Sequence, residues 1–463
     1  MSTARIVFRT LDRIPDLLSL HARQPARYPF LLESVAHGSA QARFDILFAW
    51  PGDSLVAWHG AAGNAQCAVA AERFLDELDA AWQAARPTEN ESACNADLPF
   101  CGGWFIYLAY EFGAAIEPSV PSRGDGAFPL AVATRIGGAI IRDHATGRAV
   151  AVAEAPDAAQ RLDRMLADAA ETAPAIGQEL PALVSLAEAD PAGYLDGVAR
   201  IQEYIRAGDV FQVNLSRAWH ARLKSAAAPA AIHARLRTVN PAPFAGLALL
   251  PDGSAIISSS PERLFSVRAG EIATRPIAGT WRRGVSGEDD RARANALLAH
   301  PKERAEHVML LDLERNDLGR VCVPGTVRVS EFMVVETYPH IHHIVSNVTG
   351  HLRAGITPGQ IIRATFPGGT ITGCPKVRTM QIIAELEPAA RGAYTGSMGY
   401  LDRNGDMDMN ILIRTFSQRG ENIMFRTGAG IVADSVPERE LDETRAKARG
   451  MLAVFDARQA AGS

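Results

Sequence analysis

YLDGVARIQEYIRAG, residues 194–208, carries a helical pattern, and the chain beyond it alternates such patterns with short strand-like runs. The runs are FAGLALL (244–250), SAIISSS (254–260), NILIRTF (410–416) and NIMFRTG (422–428). This alternation predicts mixed α/β structure through to the C-terminus. Residues 1 to about 150 read the same way, with β-like runs FDILFAW (44–50) and AVATRIGGAII (131–141) around one helical stretch, AAERFLDELDAAW (70–82). An alanine-rich helical segment near 155–172 then gives way to TAPAIGQELPALVSLAEADPAG (172–193), where periodicity is lost and proline accumulates. A boundary is expected at about 175–192, between an N-terminal region 1–175 and a second unit 190–455.

The 47 basic residues fall short of the 52 acidic ones, and a net charge of -5 gives no electrostatic reason to bind nucleic acid or an anionic membrane. A small-molecule partner is expected instead. Cys67, Cys94, Cys101, Cys322 and Cys374 form an odd set without a C-x-x-C pair, which argues against a disulfide framework and a structural zinc site. The N-terminal MSTARIVFRTLDRIPDLLSL lacks an apolar signal core, and no apolar run is long enough to span a bilayer, so a cytoplasmic location is expected.

Two acidic pairs stand out. HPKERAEHVMLLDLERNDLGR (300–320) reads as a helix with Glu303 and Glu306 on one face. In DSVPERELDETRAKARGMLAVF (434–455), Ser435 and Glu438 have capping-box spacing, and Glu440, Glu443 and Lys447 form one stripe. Four convergent carboxylates would need a hard cation between them, and Mg²⁺ suits oxygen ligands and retained waters. By spacing alone the same pairs also fit two solvated helix faces. FPGGTITGCPKVR (366–378) has the glycine spacing of a phosphate loop, but Cys374 and Pro375 stand where that loop needs Lys and Ser or Thr. Its turn through Thr370 and Lys376 into a helix start still favours an anion such as a carboxylate. In TGAGI, Gly428 and Gly430 mark either a close backbone approach to a ligand or a bulge.

Taken in order, GDVFQVNLSR, SSSPERLF, RPIAGT, KERAEHVMLLDLERNDLGR, HHIVS, FPGGTITGCPKVR, GSMGYLDRNGDMDMNILIRT, TGAGIVADS and ERELDETRAKA resemble the chorismate-utilising family. That family comprises anthranilate synthase component I, aminodeoxychorismate synthase component I, isochorismate synthase and salicylate synthase. The N-terminal FLLES (30–34) and GGWFIYLAYEFG (102–113) are similar to the aminating members, and FLLES also to the tryptophan-binding region of anthranilate synthases. The resemblance implies two stacked antiparallel β-sheets flanked by helices. It makes Glu306 and Glu443 direct Mg²⁺ ligands, with Glu303 and Glu440 acting beside them. It makes Glu262 the acid that protonates the departing C4 hydroxyl of chorismate. Arg414, Lys447, Tyr394 and the backbone of Gly428 and Gly430 become the groups around the substrate carboxylates. His343 and Thr370 line the ring, and Thr280 follows the A-G of P-I-A-G-T.

Hydrolytic members carry a water-activating lysine where this chain has Gln212, which cannot serve as a base. Ammonia needs no such base, so an aminating enzyme is expected. QVNLS around Asn214 and PGGTITG are similar to aminodeoxychorismate synthases, which implies 4-amino-4-deoxychorismate as product. Ala278 departs from the P-I-K-G-T of several of those enzymes, which keeps anthranilate synthase as the alternative. A non-catalytic chorismate-binding subunit is a third reading. No cysteine has a nucleophile-elbow context, so use of glutamine would require ammonia from a separate glutamine amidotransferase subunit.

Overall fold

Two long strands, Phe44–Ala57 and Ala131–Asp143, pair antiparallel along almost their whole length. A bulge between Pro51 and Ser54 bends the pair, as an extra residue in a ladder does. The bend lets one strand serve two half-sheets. The first part of Ala131–Asp143 pairs with Gly103–Leu108, and its last part with Arg148–Glu154. The computed structural model describes residues 6–36, 42–59, 68–87, 97–124, 126–171, 176–337 and 341–456.

From Phe44–Ala57 the first half-sheet runs through Phe30–Glu33, Phe244–Leu249, Ala255–Ser260, Thr415–Arg419, Asn422–Ile431 and Gln212–Leu223 to the edge strand Leu183–Glu188. The second runs from Gly103–Leu108 through Ser397–Asp402, Met407–Asn410, Arg263–Arg268 and Glu271–Thr274 to Ile341–His351. That last strand also pairs with Ile277–Arg282 and Arg328–Thr337. These pairings are antiparallel.

The half-sheets face each other across Phe30, Phe48, Phe100, Phe105, Tyr107, Met398 and Tyr400. The Phe30 and Phe105 rings stack at 4.0 Å across this interior, one from each half. Helices Leu17–Arg23, Ala158–Ala170, Pro229–Val239 and Pro437–Leu452 cover the outer face of the first half. Phe74–Ala85, Pro301–Gly319 and Pro358–Thr365 cover that of the second. The expected stacked antiparallel sheets with flanking helices are therefore present, joined into one hydrogen-bonded system by the two bent strands. Strands from residues 1–175 and from 190–455 pair directly, as Phe30–Glu33 does with Phe244–Leu249 and Gly103–Leu108 with Ser397–Asp402. Among the described residues no helix is long and apolar enough to cross a membrane.

Three local expectations change. NILIRTF is not one strand: the ladder stops at Asn410 in one half-sheet and resumes at Thr415 in the other, with Arg414 between them at φ 52°. The Ser435–Glu438 capping box does not form. The Ser435 hydroxyl instead accepts from the Val432 N–H at 3.1 Å and bonds the Glu440 carboxyl, so it serves the neighbourhood of the acidic stripe rather than the helix start. Cys101 is disulfide-bonded, while Cys322 and Cys374 are free. The odd count did not preclude one pair.

Candidate active site

Glu262 and Arg414 both lie where the chain leaves one half-sheet for the other. Ala255–Ser260 belongs to the first half and Arg263–Arg268 to the second, and Pro261, which has no N–H to give a ladder, separates them. The companion crossing is Ile411–Arg414, and the Ile411 N–H donates to the Glu262 carbonyl at 3.0 Å, which stitches the two crossings together.

The Glu262 side chain is buried and accepts the Thr370 hydroxyl at 2.7 Å. Burial pushes its pKa up to about 8, with the charge of Glu314 adding to the effect against the hydrogen bonds from Thr370 and Ile277. A carboxyl that keeps its proton near neutral pH is suited to act as a general acid. Arg414 donates to Asn240 Oδ1 at 3.2 Å and, among the described residues, forms no ion pair. Burial lowers its pKa, so a ligand carboxylate would be a favourable partner. His343 is held neutral, its pKa lowered to about 4 by burial and by Arg414. In the ladder it stands opposite Thr280, beside Ala278, which is buried in the same strand.

The paired strands Gln212–Leu223 and Asn422–Ile431 form a second wall. Gly430 stands opposite Asn214, and Gly428 opposite Ser216. A Cβ on Gly430 would sit 2.2 Å from Gln212 Nε2, and one on Gly428 would sit 2.7 Å from the Tyr394 hydroxyl and 2.8 Å from Asn214 Oδ1. The glycines thus let three polar side chains lie flat over the strand. Gln212 Nε2 donates to Glu306 Oε1 at 2.8 Å. Gln212 Oε1, Asn214 Oδ1 and the Tyr194 hydroxyl are buried and, among the described residues, without a protein partner, the kind of deficit that a bound ligand or water repairs. Burial raises the Tyr394 hydroxyl to about 12, so it remains a donor. Gly430→Ala should push Gln212 off Glu306. The overpacking costs about 1–3 kcal/mol. Chorismate consumption should fall far more than the melting temperature, and unchanged consumption would contradict this packing.

The four glutamates come from helices Pro301–Gly319 and Pro437–Leu452, which bring Glu306 and Glu443 within electrostatic reach of each other. Glu306 has a raised pKa from burial and from the charges of Glu303 and Glu443. Glu440 is raised by burial and by Glu443. Glu303 points at the bulge of the Ile277–Arg282 strand, its Oε2 2.9 Å from where a Cβ on Gly279 would lie. Lys447 bonds both Glu443 Oε1 and the Gly428 carbonyl at 2.8 Å, so it ties the acidic stripe to the glycine wall. Among the described residues no three of these groups close into a ready-made metal cage. Their all-oxygen chemistry and mutual repulsion fit a divalent cation that keeps waters between itself and some carboxylates.

The glycine-rich loop differs from expectation. Lys376 is paired with Asp317, and the Gly369 N–H is bonded to the Glu314 carboxyl, so the anions at this turn are the protein's own. Sequence reasoning also missed Arg391, whose guanidinium is fully buried. It donates to the carbonyls of Asn214 (2.7 Å) and Ile371 (3.1 Å) and pairs with Glu387 at 2.7 Å. One side chain thereby fixes the glycine-rich loop against the strand that carries Gln212 and Asn214. The i,i+4 Glu387–Arg391 spacing was the available signal, but charged pairs at that spacing are common on solvated surfaces. A cleft of about 970 Å³ opens beside Glu306, lined among others by Phe211, Lys302, Met309 and Asp317. FLLES, for its part, lines a separate cavity of about 330 Å³ with Met398, Tyr400 and Asn410.

The model of the chorismate binding enzyme family matches residues 30–453, and the chain belongs to that family. It is 41% identical over 360 residues to the anthranilate synthase component I-like protein of Synechocystis, covering 78% of this chain and 74% of that protein. It is 37% identical over 427 residues to aminodeoxychorismate synthase component 1 of Klebsiella aerogenes, covering 92% and 93%. The crystal structure of anthranilate synthase component I from Streptococcus pneumoniae superposes with a TM-score of 0.75 at 31% identity, covering 89% of this chain and 93% of that one.

Proposed function

We propose that the chain is the chorismate-aminating subunit of an aminodeoxychorismate synthase, which converts chorismate and ammonia to 4-amino-4-deoxychorismate and water. The observation that carries amination is Gln212: an amide, already committed to Glu306, occupies the place where a hydrolytic enzyme would need a base. Glu262 then protonates the departing C4 hydroxyl, with Thr370 fixing the carboxyl. Arg414, Lys447, Tyr394 and the backbone of Gly428 and Gly430 orient the ring and enolpyruvyl carboxylates, while neutral His343 and Thr370 border the ring. Glu306 and Glu443 would hold Mg²⁺ directly, with Glu303 and Glu440 beside them. When bound, the ion neutralises the ring carboxylate. Ammonia comes from a separate glutamine amidotransferase subunit, as the component 1 designation of the Klebsiella aerogenes relative accords with.

The second reading, an anthranilate synthase component I of tryptophan biosynthesis, is favoured by Ala278, because no side-chain amine is available there to attack C2. One experiment separates them. The pure chain with chorismate, Mg²⁺ and ammonium at alkaline pH, without a lyase, should release 4-amino-4-deoxychorismate that retains its enolpyruvyl group. Stoichiometric pyruvate together with blue-fluorescent anthranilate would establish the second reading instead. Glutamine should not replace ammonium until an amidotransferase subunit is added.

A further inference from the structure

Glu314 has no role in the reaction as described, yet it is a buried carboxyl held as closely as Glu262. Consecutive residues of the glycine-rich loop clamp the two: the Gly369 N–H bonds Glu314 and the Thr370 hydroxyl bonds Glu262. The Thr274 hydroxyl lies 2.9 Å from Glu314 Oε2. On its far side Glu314 faces Asp317, which is paired with Lys376 and flanked by Arg320. Asp317, Lys376 and Arg320 line the open cleft, whereas Glu314 lies behind them. A helix interior does not need a glutamate among Leu310, Leu311, Leu313 and Leu318, and a buried carboxyl is costly unless paired.

We propose that Glu314 is a positioning residue for the leaving-group acid: through the shared Gly369–Thr370 clamp it sets how tightly Glu262 holds its proton, and the Asp317–Lys376 pair sets the charge that Glu314 carries. The inference rests on the assignment of Glu262 above. Glu314 does not touch substrate. Burial and Asp317 push the Glu314 carboxyl up to about 7, so it is charged across the basic limb, where that charge favours the protonated form of Glu262, in agreement with the direction in which Glu262 is displaced. The charged groups that face Glu314 are Glu262, Asp317 and Lys376.

Glu314→Gln keeps the size and one acceptor, for the Gly369 N–H, and offers an amide N–H to the Thr274 oxygen, whose own proton can go to the Leu264 carbonyl, while it removes the charge. The basic limb of the chorismate kcat/KM profile should move to lower pH by on the order of one unit, with the KM for chorismate nearly unchanged. A folded variant whose basic limb stays at the wild-type position would overturn the inference. If Glu314→Gln does not fold, Thr274→Val decides. Losing that hydroxyl makes the Glu314 anion harder to form, so the limb should again move down, and an unmoved limb overturns the inference. Failure of the underlying reading looks different: either the wild-type chain does not consume chorismate, or Glu262→Gln consumes it as fast as wild type.

Discussion

Glu262→Gln is expected to lower chorismate turnover by roughly 10²–10⁴-fold, the usual contribution of a positioned general acid. The loss should be chemical rather than structural, because the amide oxygen can still accept the Thr370 hydroxyl that Glu262 Oε1 accepts at 2.7 Å. Loss of chorismate absorbance measures it, and wild-type turnover would remove Glu262 from the mechanism. The pH dependence follows from the carboxyl being raised to about 8. Wild-type activity should fall as pH rises through that value and the acid loses its proton. Stability follows the same sign. A carboxyl that titrates at 4.5 when unfolded and about 8 when folded contributes stability fully below the lower value, and loses it as pH climbs toward the upper one. The Gln variant has no such titration, so relative to wild type it should melt at an increasingly higher temperature between about pH 5 and about pH 9. Above its unfolded pKa, a buried carboxyl costs stability that its neutral isostere does not.

Glu443→Gln should be nearly as severe, through the Mg²⁺ proposed at these carboxylates. Glu443 is half-exposed, bonds Lys447 at 2.8 Å and bears electrostatically on both Glu306 and Glu440. Removing its charge relieves repulsion, so the melting temperature without Mg²⁺ should hold or rise. Losing one hard ligand should cost several kcal/mol of transition-state stabilisation, on the order of 10²-fold or more in turnover. Calorimetric titration with Mg²⁺ provides a readout independent of activity. Wild type should bind and gain melting temperature with added ion, and the variant should do so only at much higher concentration. Normal turnover of the variant at low Mg²⁺ would count against a metal role for these carboxylates.

The acidic stripes were legible in the chain because a helix converts spacing into a shared face: Glu303 with Glu306, and Glu440 with Glu443 and Lys447, need nothing beyond local periodicity. Gly428 and Gly430 were legible only as alternatives, bulge or close approach, since the side chains that require their bareness, Gln212, Asn214 and Tyr394, come from distant segments. NILIRTF misread for a related reason. Its apolar pattern is that of a strand, and the switch between half-sheets at residues 411–414 comes from where each end finds a hydrogen-bonding partner. Periodicity carries no record of partners.

What the sequence by itself determined is therefore the local periods, the mixed α/β class, the ordered blocks that mark the family, and the residue types at Glu262, at the paired carboxylates and at the amide of position 212. Tertiary structure alone decided that Glu262 and Arg414 share a seam between half-sheets, that Arg391 fastens the glycine-rich loop to the Gln212 strand, and that the charge of Glu314 bears on Glu262. The physical reason is that proton affinity and charge pairing depend on burial and on neighbours far apart in the chain. The resemblance names Glu262 as an acid, but local residue chemistry reads an ordinary carboxylate there, and only burial between the half-sheets supplies the raised proton affinity.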